Sequence, residues 1–126
     1  MGADFAYIGS AFIATEEARA AQEYKQAIVD HDSDEIVYSN LFTGVHGNYL
    51  APSIRAAGLD PANLPESDPS KMNFGGSAAA KAWKDIWGCG QGIGAIDKVQ
   101  PAGAFIAQLR REYAAAKAAL LARDYA

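Results

Sequence analysis

The fold prediction starts from residues 2–17, whose sequence is Gly-Ala-Asp-Phe-Ala-Tyr-Ile-Gly-Ser-Ala-Phe-Ile-Ala-Thr-Glu-Glu. A short apolar run, Phe5 to Ile8, lies between Asp4 and Gly9, as in a strand that is covered on both faces. A buried strand must be hydrogen-bonded along both edges, because unpaired backbone groups are costly when buried. The sequence therefore predicts that this strand belongs to a larger sheet, and that the chain is the end of a longer protein.

The predicted strand is followed by Gly9 and Ser10, whose chemistry suits an anion. Gly9 has no side chain to block a phosphate, and Ser10 adds a hydroxyl donor. In (β/α)8 barrel enzymes, the loops after strands seven and eight commonly bind phosphate. A glycine–serine pair after a strand is otherwise a plain turn, so the phosphate interpretation depends on the whole pattern of residues 2–17.

That whole pattern resembles the eighth strand and following turn of flavin-binding (β/α)8 barrels, and it is most similar to the nitronate monooxygenases, also called 2-nitropropane dioxygenases. The resemblance continues in residues 36–48, 68–74 and 83–96. It implies an α/β fold, an incomplete (β/α)8 barrel with the last barrel strand, a small α+β subdomain and closing helices. The chain has 126 residues, whereas a complete barrel needs roughly 250.

The resemblance implies three parts of the chain. Residues 1–31 are expected to form the last barrel strand and the following helix. Residues 32–76 are expected to form a small subdomain of a strand, a loop and a short helix with a long loop. Residues 77–126 are expected to form a return helix and a C-terminal helix that packs on the barrel.

The resemblance also implies an activity. The complete enzyme would use FMN and molecular oxygen to oxidise alkyl nitronates to carbonyl compounds and nitrite, with the cofactor carrying the redox chemistry. The family's catalytic histidine lies earlier in the barrel, so no residue of this chain is assigned as catalytic and the segment alone is expected to be inactive. The residues that map onto the contacts with the FMN phosphate are Tyr7, Ile8, Gly9 and Ser10.

Two further residues are candidates for the wall of the substrate pocket. His46 lies in a glycine-bracketed loop, and Gln91 lies in a Trp-x-x-Gly-Gln-Gly stretch similar to one in flavin barrels. Each also fits a plainer interpretation, a surface loop for His46 and glycines that allow close backbone packing around Gln91. The loose G-x-G-x-x-A pattern from Gly90 to Ala95 follows a predicted helix instead of a strand, which argues against a dinucleotide site.

The composition of the chain argues against several classes of partner and of site. The net charge of −4 argues against a nucleic-acid surface, which needs clustered Lys and Arg. Cys89 is the one cysteine, so the chain has no internal disulfide and fits a reducing compartment. The sequence contains neither an apolar run long enough to cross a membrane nor a metal-binding motif. We therefore expect a soluble, cytoplasmic protein without a metal.

The expected partners are FMN, a small nitronate substrate and the missing N-terminal barrel. Two alternatives stay open. One is another flavin-barrel oxidoreductase, such as an NADH:quinone or enoyl reductase, because those barrels share the phosphate turn. The other is a non-catalytic interaction module that keeps only the contact surface of the barrel.

Local signals predict the remaining elements. They are a helix capped by Thr15 and running to about His31, a strand at residues 35–42, a loop at residues 43–48, a short helix begun by Pro52 and closed by Gly58, a long loop at residues 60–76, a helix from Ser77, and a last helix opened by Pro101. Each boundary rests on capping, proline or glycine chemistry.

Overall fold

The structure is a computed structural model that describes residues 3–67 and 84–123. Within those residues, bounds are defined for four α-helices and one two-stranded sheet, and residues 84–85 are also helical. The elements with defined bounds are α1 (Ser10–Ile13), α2 (Gln22–Asp30), β1 (Ile36–Ser39), β2 (Gly47–Leu50), α3 (Ala51–Ala56) and α4 (Ala102–Leu121), with 3-10 helices at Ser33–Glu35 and Gln91–Ala95.

The predicted strand before Gly9 is not formed. Residues 3–9 have no regular secondary structure, and Phe5 and Tyr7 are 94% and 103% exposed. The physical reason is the absence of a partner, because no described strand offers its edge to this segment and an isolated strand cannot pair its backbone groups. The chain instead enters α1 directly at Ser10.

The helix predicted to start at Thr15 begins later, at Gln22, and ends at Asp30 as expected. Thr15 does not cap it, since its hydroxyl donates to the Phe12 carbonyl at 2.7 Å. The Thr15 backbone forms a parallel bridge with Gln100, and the adjacent Glu16 N–H donates to the Gln100 carbonyl at 3.1 Å. This long-range pairing keeps the backbone out of a helix at the position where the local signal favoured one.

The predicted strand at residues 35–42 is confirmed in its centre as β1. It pairs antiparallel with β2 in a register that joins Ile36 to Leu50 and Ser39 to Gly47. Part of the predicted loop at residues 43–48 is therefore strand, and the turn between the strands uses Gly44 at a φ of 77°, a conformation that favours glycine.

A third segment, residues 87–89, lies against β2 and extends the sheet by hydrogen bonds. The Leu50 N–H donates to the Trp87 carbonyl at 2.8 Å, and the Cys89 N–H donates to the Asn48 carbonyl at 3.2 Å. This contact brings the predicted glycine-rich stretch next to the hairpin.

The short helix and the last helix are confirmed. Pro52 lies in the first turn of α3, and Gly58 follows it at a φ of 82°. Helix α4 begins at Ala102, directly after Pro101. The start of the predicted long loop, residues 60–67, lacks helix and strand, whereas residues 68–76 and the predicted helix start at Ser77 lie outside the described residues.

A small apolar core lies between α2, the hairpin and the segment after Cys89. Six buried side chains form one cluster, namely Ala14, Ala27, Ile28, Leu50, Cys89 and Ile93. No barrel is present among the described residues. The described part of the chain also has no helix with the length and apolarity needed to cross a membrane.

The first turns of α4 are attached to this body and the rest is not. The Glu17 carboxylate accepts the Ala102 N–H at 2.8 Å, which supplies a cap that Pro101 cannot provide. Phe105 packs edge-on against Phe12 with the ring centres 5.0 Å apart. Every residue from position 110 to 123 is exposed, so the C-terminal two-thirds of α4 extends into solvent.

Candidate functional site

The structure joins two of the motifs singled out in the sequence. The Gly90 N–H donates to the Ser10 hydroxyl oxygen at 2.7 Å, across 80 positions of the chain. A side chain at Gly90 would place its Cβ 3.6 Å from that oxygen, an ordinary contact distance. We call this hydrogen bond between Ser10 and Gly90 the clasp; it brings the predicted phosphate turn next to the glycine-rich stretch that contains Gln91.

The turn before the clasp has open space and free donors. A Cβ at Gly9 would meet no atom within 4 Å, and its φ of −104° is ordinary for any residue. Among the described residues, no carbonyl accepts the N–H groups of Ser10 and Ala11, whereas the next N–H, from Phe12, donates to the Gly9 carbonyl at 3.0 Å. Two N–H groups and the Ser10 hydroxyl proton therefore remain available to an anion.

The two apolar residues of the predicted phosphate segment are also accessible. Tyr7 is 103% exposed and Ile8 is 39% exposed. Neither packs into the described core, so the body of this chain leaves both free to contact a ligand or another part of a larger protein.

Gln91 lies on the other side of the clasp, at the first position of the 3-10 helix Gln91–Ala95, and is exposed. Its neighbour Cys89 is buried, with 7% of its surface accessible. Burial raises the pKa of the Cys89 thiol to about 11. The thiol is therefore protonated at neutral pH, which argues against a nucleophilic or redox role.

His46 is not brought to the clasp by any described contact. Its ring stacks on Tyr38 at 4.8 Å between centres, at the turn end of the hairpin. It lines a separate pocket of about 220 Å³ with Asn40 and Pro65 among its other walls. His46 is exposed, and no described contact joins it to Gln91.

The sequence reasoning missed Tyr24 as a residue that organises the site. Its hydroxyl donates to the Gly88 carbonyl, and its ring stacks on Trp87 with the centres 5.2 Å apart. Burial raises the pKa of Tyr24 to about 12, so it remains a neutral donor. The residue that accepts this hydrogen bond lies 64 positions away along the chain, so no local sequence pattern indicates it.

Tyr24 and Trp87 also line a cleft of about 1070 Å³ that includes Phe42 and Ile86. Neither Gly9 nor Ser10 contributes to its wall. The cleft and the phosphate turn are therefore separate features, which are connected through the backbone between Trp87 and Gly90.

The residues at the clasp fit the phosphate of FMN in part. Backbone N–H groups, a hydroxyl and an unobstructed glycine are the donor set that a phosphate requires. Nothing in the described residues forms a slot for the isoalloxazine ring beside them. The described ranges also contain no group of three His, Cys, Asp or Glu side chains placed to hold a metal ion.

No protein-family model, no curated protein and no solved structure matches this chain. What the chain itself offers is the resemblance of its sequence to flavin barrels and the hydrogen bond of the clasp.

Proposed function

We propose that the chain is the C-terminal part of an FMN-dependent nitronate monooxygenase, which oxidises alkyl nitronates with molecular oxygen to carbonyl compounds and nitrite. The observation that carries this proposal is the clasp, because it joins two of the stretches that resemble the flavin barrels. Ser10 belongs to the first stretch and Gly90 to the second, and the hydrogen bond between them is 2.7 Å long.

The role of this chain in that reaction is to bind and to orient. When bound, FMN supplies the oxidation–reduction chemistry. The N–H groups of Ser10 and Ala11 would hold its phosphate, and Gly9 would leave room for it. Tyr24 holds Gly88 and thereby sets the backbone that leads into Gly90 and Gln91. The base that removes a carbon-bound proton is assigned to the missing N-terminal barrel.

The exposed apolar side chains beside the clasp support a larger assembly. Phe5 and Tyr7 are almost fully exposed. Burying one aromatic side chain stabilises a protein by a free energy on the order of a few kcal/mol. A barrel wall along residues 5–8 would bury these rings and pair the backbone of the segment. We also place the complete protein in the cytoplasm, on the basis of its free, buried Cys89.

The test is the flavin content of the protein expressed from the whole reading frame that contains this chain. We expect Gly9→Val to lower the bound FMN strongly, since the added side chain would occupy the space of the phosphate. The matched control is Gly103→Val in α4, because a Cβ at Gly103 also meets nothing within 4 Å. The bound FMN is measured by absorbance after the protein is freed of unbound cofactor.

Two results would contradict the proposal. One is a wild-type protein that binds no flavin and does not consume oxygen with an alkyl nitronate. The other is an equal flavin content in the Gly9→Val and Gly103→Val proteins, which would remove the turn from the phosphate site. Flavin binding with NADH-dependent reduction of a quinone, and no nitronate turnover, would instead support the alternative flavin-barrel oxidoreductase.

A non-catalytic interaction module is the second candidate. The observation in its favour is the exposed apolar surface of α4, where Tyr113 and Leu121 are 73% and 76% exposed. Such a module would bind a protein partner with the flavin absent, so the flavin measurement distinguishes it from the enzyme.

A further inference from the structure

The C-terminal part of α4 carries an apolar stripe that no described residue covers. Tyr113 and Leu120 are 73% and 58% exposed, and Ile106 near the body is 45% exposed. The exposed part of α4, residues 110–121, is short enough to be marginal in water without packing partners. Large apolar side chains arranged along one face of such a helix indicate a surface that is covered in the working protein.

The stripe has the seven-residue spacing of a coiled-coil seam. Ile106, Tyr113 and Leu120 recur every seven positions and are assigned to position a. The apolar residues between them, Ala102, Leu109 and Ala116, are assigned to position d. Apolar a and d positions let two helices pack side by side along their length. The 20 residues of α4 span about 30 Å, so the pairing would be weak and dependent on concentration.

The charges beside the seam favour one orientation of one partner, a second α4. Glu112 occupies position g, and Arg110 and Lys117 occupy position e. In a parallel pair, Glu112 of each copy faces Lys117 of the other, which gives two opposite-charge contacts by symmetry. In an antiparallel pair, Arg110 of one copy would face Lys117 of the other, and these like charges repel.

The contact of α4 with its own body covers part of this seam at its N-terminal end, where Ala102 and Leu109 are half-buried, and leaves the positions from Arg110 onward exposed. Phe105, which packs on Phe12, occupies position g and lies beside the seam. The Glu112 Oε1 atom accepts a hydrogen bond from Gln108 Nε2 at 2.7 Å, so Oε2 remains for a lysine of another chain.

We propose that α4 is a dimerisation helix, which pairs in parallel with α4 of a second copy of this chain. The proposal goes beyond the proposed function and does not depend on flavin binding. The rival occupant of the seam is the barrel, on which the sequence resemblance places the C-terminal helix. The two differ in a measurable way, because a barrel of the same protein would cover the seam within one molecule.

The experiment is sedimentation equilibrium, over a range of concentrations, of the protein expressed from the whole reading frame that contains this chain. We expect a monomer–dimer equilibrium in which Leu120→Glu raises the dissociation constant by roughly tenfold or more, because a buried carboxylate is strongly unfavourable. Leu121→Glu is the matched control, since Leu121 is adjacent, 76% exposed and off the seam at position b. Far-UV circular dichroism of each monomer checks that α4 is retained.

A charge exchange tests the orientation. Glu112→Lys should weaken the dimer, since it places two lysines opposite each other, and the added Lys117→Glu should restore it. The proposal is overturned by a chain that is monomeric at every concentration, by equal effects of the two leucine variants, by aggregates that do not respond to Leu120→Glu, or by a double charge exchange no tighter than the single one.

Discussion

The body of the molecule and its two projecting segments differ in the exposure of their apolar side chains. In the body, Ile28, Leu50 and Ile93 are completely buried, and every buried side-chain nitrogen and oxygen in the described residues has a hydrogen-bond partner. In the projecting segments, residues 3–9 and 110–123, aromatic and leucine side chains face solvent. The body therefore contains the buried core, although Tyr38 and Val45 of the hairpin are 69% and 66% exposed. The two segments carry apolar surface without such a core.

Because of this difference, we expect substitutions that change stability and substitutions that change function to lie in different parts of the chain. Burial contributes about 25 cal/mol per Å² of apolar surface, so substitutions in the small body should change folding. Substitutions in the segments should leave folding of the body intact and change association or ligand binding. The predictions below compare matched residues in the two regions.

The largest effect is expected from the two leucines that lie at opposite extremes of exposure. Leu50→Ala removes a side chain that is 0% exposed, and we expect it to lower the free energy of unfolding by about 2–5 kcal/mol. Leu121→Ala, at 76% exposure, should change it by less than about 0.5 kcal/mol. Urea denaturation followed by circular dichroism measures both. An equal loss of unfolding free energy in the two variants would show that the body and the projecting segments do not differ in their contribution to stability.

A smaller loss is expected at Ser53, a buried hydroxyl that serves two backbone groups. It donates to the Leu50 carbonyl at 2.7 Å and accepts the Trp87 N–H at 3.0 Å. Ser53→Ala leaves the Trp87 N–H without its partner, which costs about 1–3 kcal/mol. The exposed Ser33→Ala is the control in the same denaturation experiment. A Ser53→Ala protein as stable as the Ser33→Ala protein would show that the residues around Trp87 are not held through this hydroxyl.

The clasp is the next test, because it connects the exposed phosphate turn to the body. Ser10→Ala removes the acceptor of the Gly90 N–H, and we expect a loss of about 1 kcal/mol, the net worth of one hydrogen bond. Amide hydrogen exchange at Gly90 should become faster in this variant. Gln91→Ala is the neighbouring control. Because the Gln91 side chain is exposed and takes no part in the clasp, this change should leave the exchange rate at Gly90 and the free energy of unfolding nearly unchanged.

The elements that the sequence predicted correctly depend on residues close to one another. Pro52 and Gly58 bracket α3, and Pro101 starts α4, through backbone chemistry that acts within one turn. The elements that differ from the sequence prediction depend on distant partners. Thr15 is bridged to Gln100, and the segment from Phe5 to Ile8 lacks the neighbouring strand that it would need.

The candidate site divides in the same way. Accessibility of Gly9 and Ser10 follows from the local pattern of a turn, and the structure shows both free donors and open space there. Their approach to Gly90 does not follow from any local pattern, because the two stretches are 80 positions apart. Tyr24 was missed as an organising residue for the same reason. Whether His46 belongs to a substrate pocket remains a prediction.

The smallest expected effect concerns the junction between body and α4, where Glu17 caps the helix. The hydrogen bond from the Ala102 N–H lowers the pKa of Glu17 below its ordinary value of 4.5, and the nearby Lys25 contributes in the same direction. A lowered folded-state pKa means that the stabilisation is complete above pH 4.5 and is lost as the pH falls through the folded-state value. Asp60 has a lowered pKa too, through Asn63 and the Ala62 N–H, so acid alone does not isolate Glu17.

The amide signal of Ala102 separates the two carboxylates. In the wild-type protein we expect this signal in an NMR titration to shift with a midpoint below pH 4.5, the ordinary glutamate value, because protonation weakens the acceptor of its N–H. Glu17→Gln should abolish the shift, because the amide that replaces the carboxylate does not titrate, whereas Asp60→Asn should leave the shift in place. An Ala102 signal that still titrates in the Glu17→Gln protein, or that stops titrating in the Asp60→Asn protein, would mean that Glu17 does not cap α4.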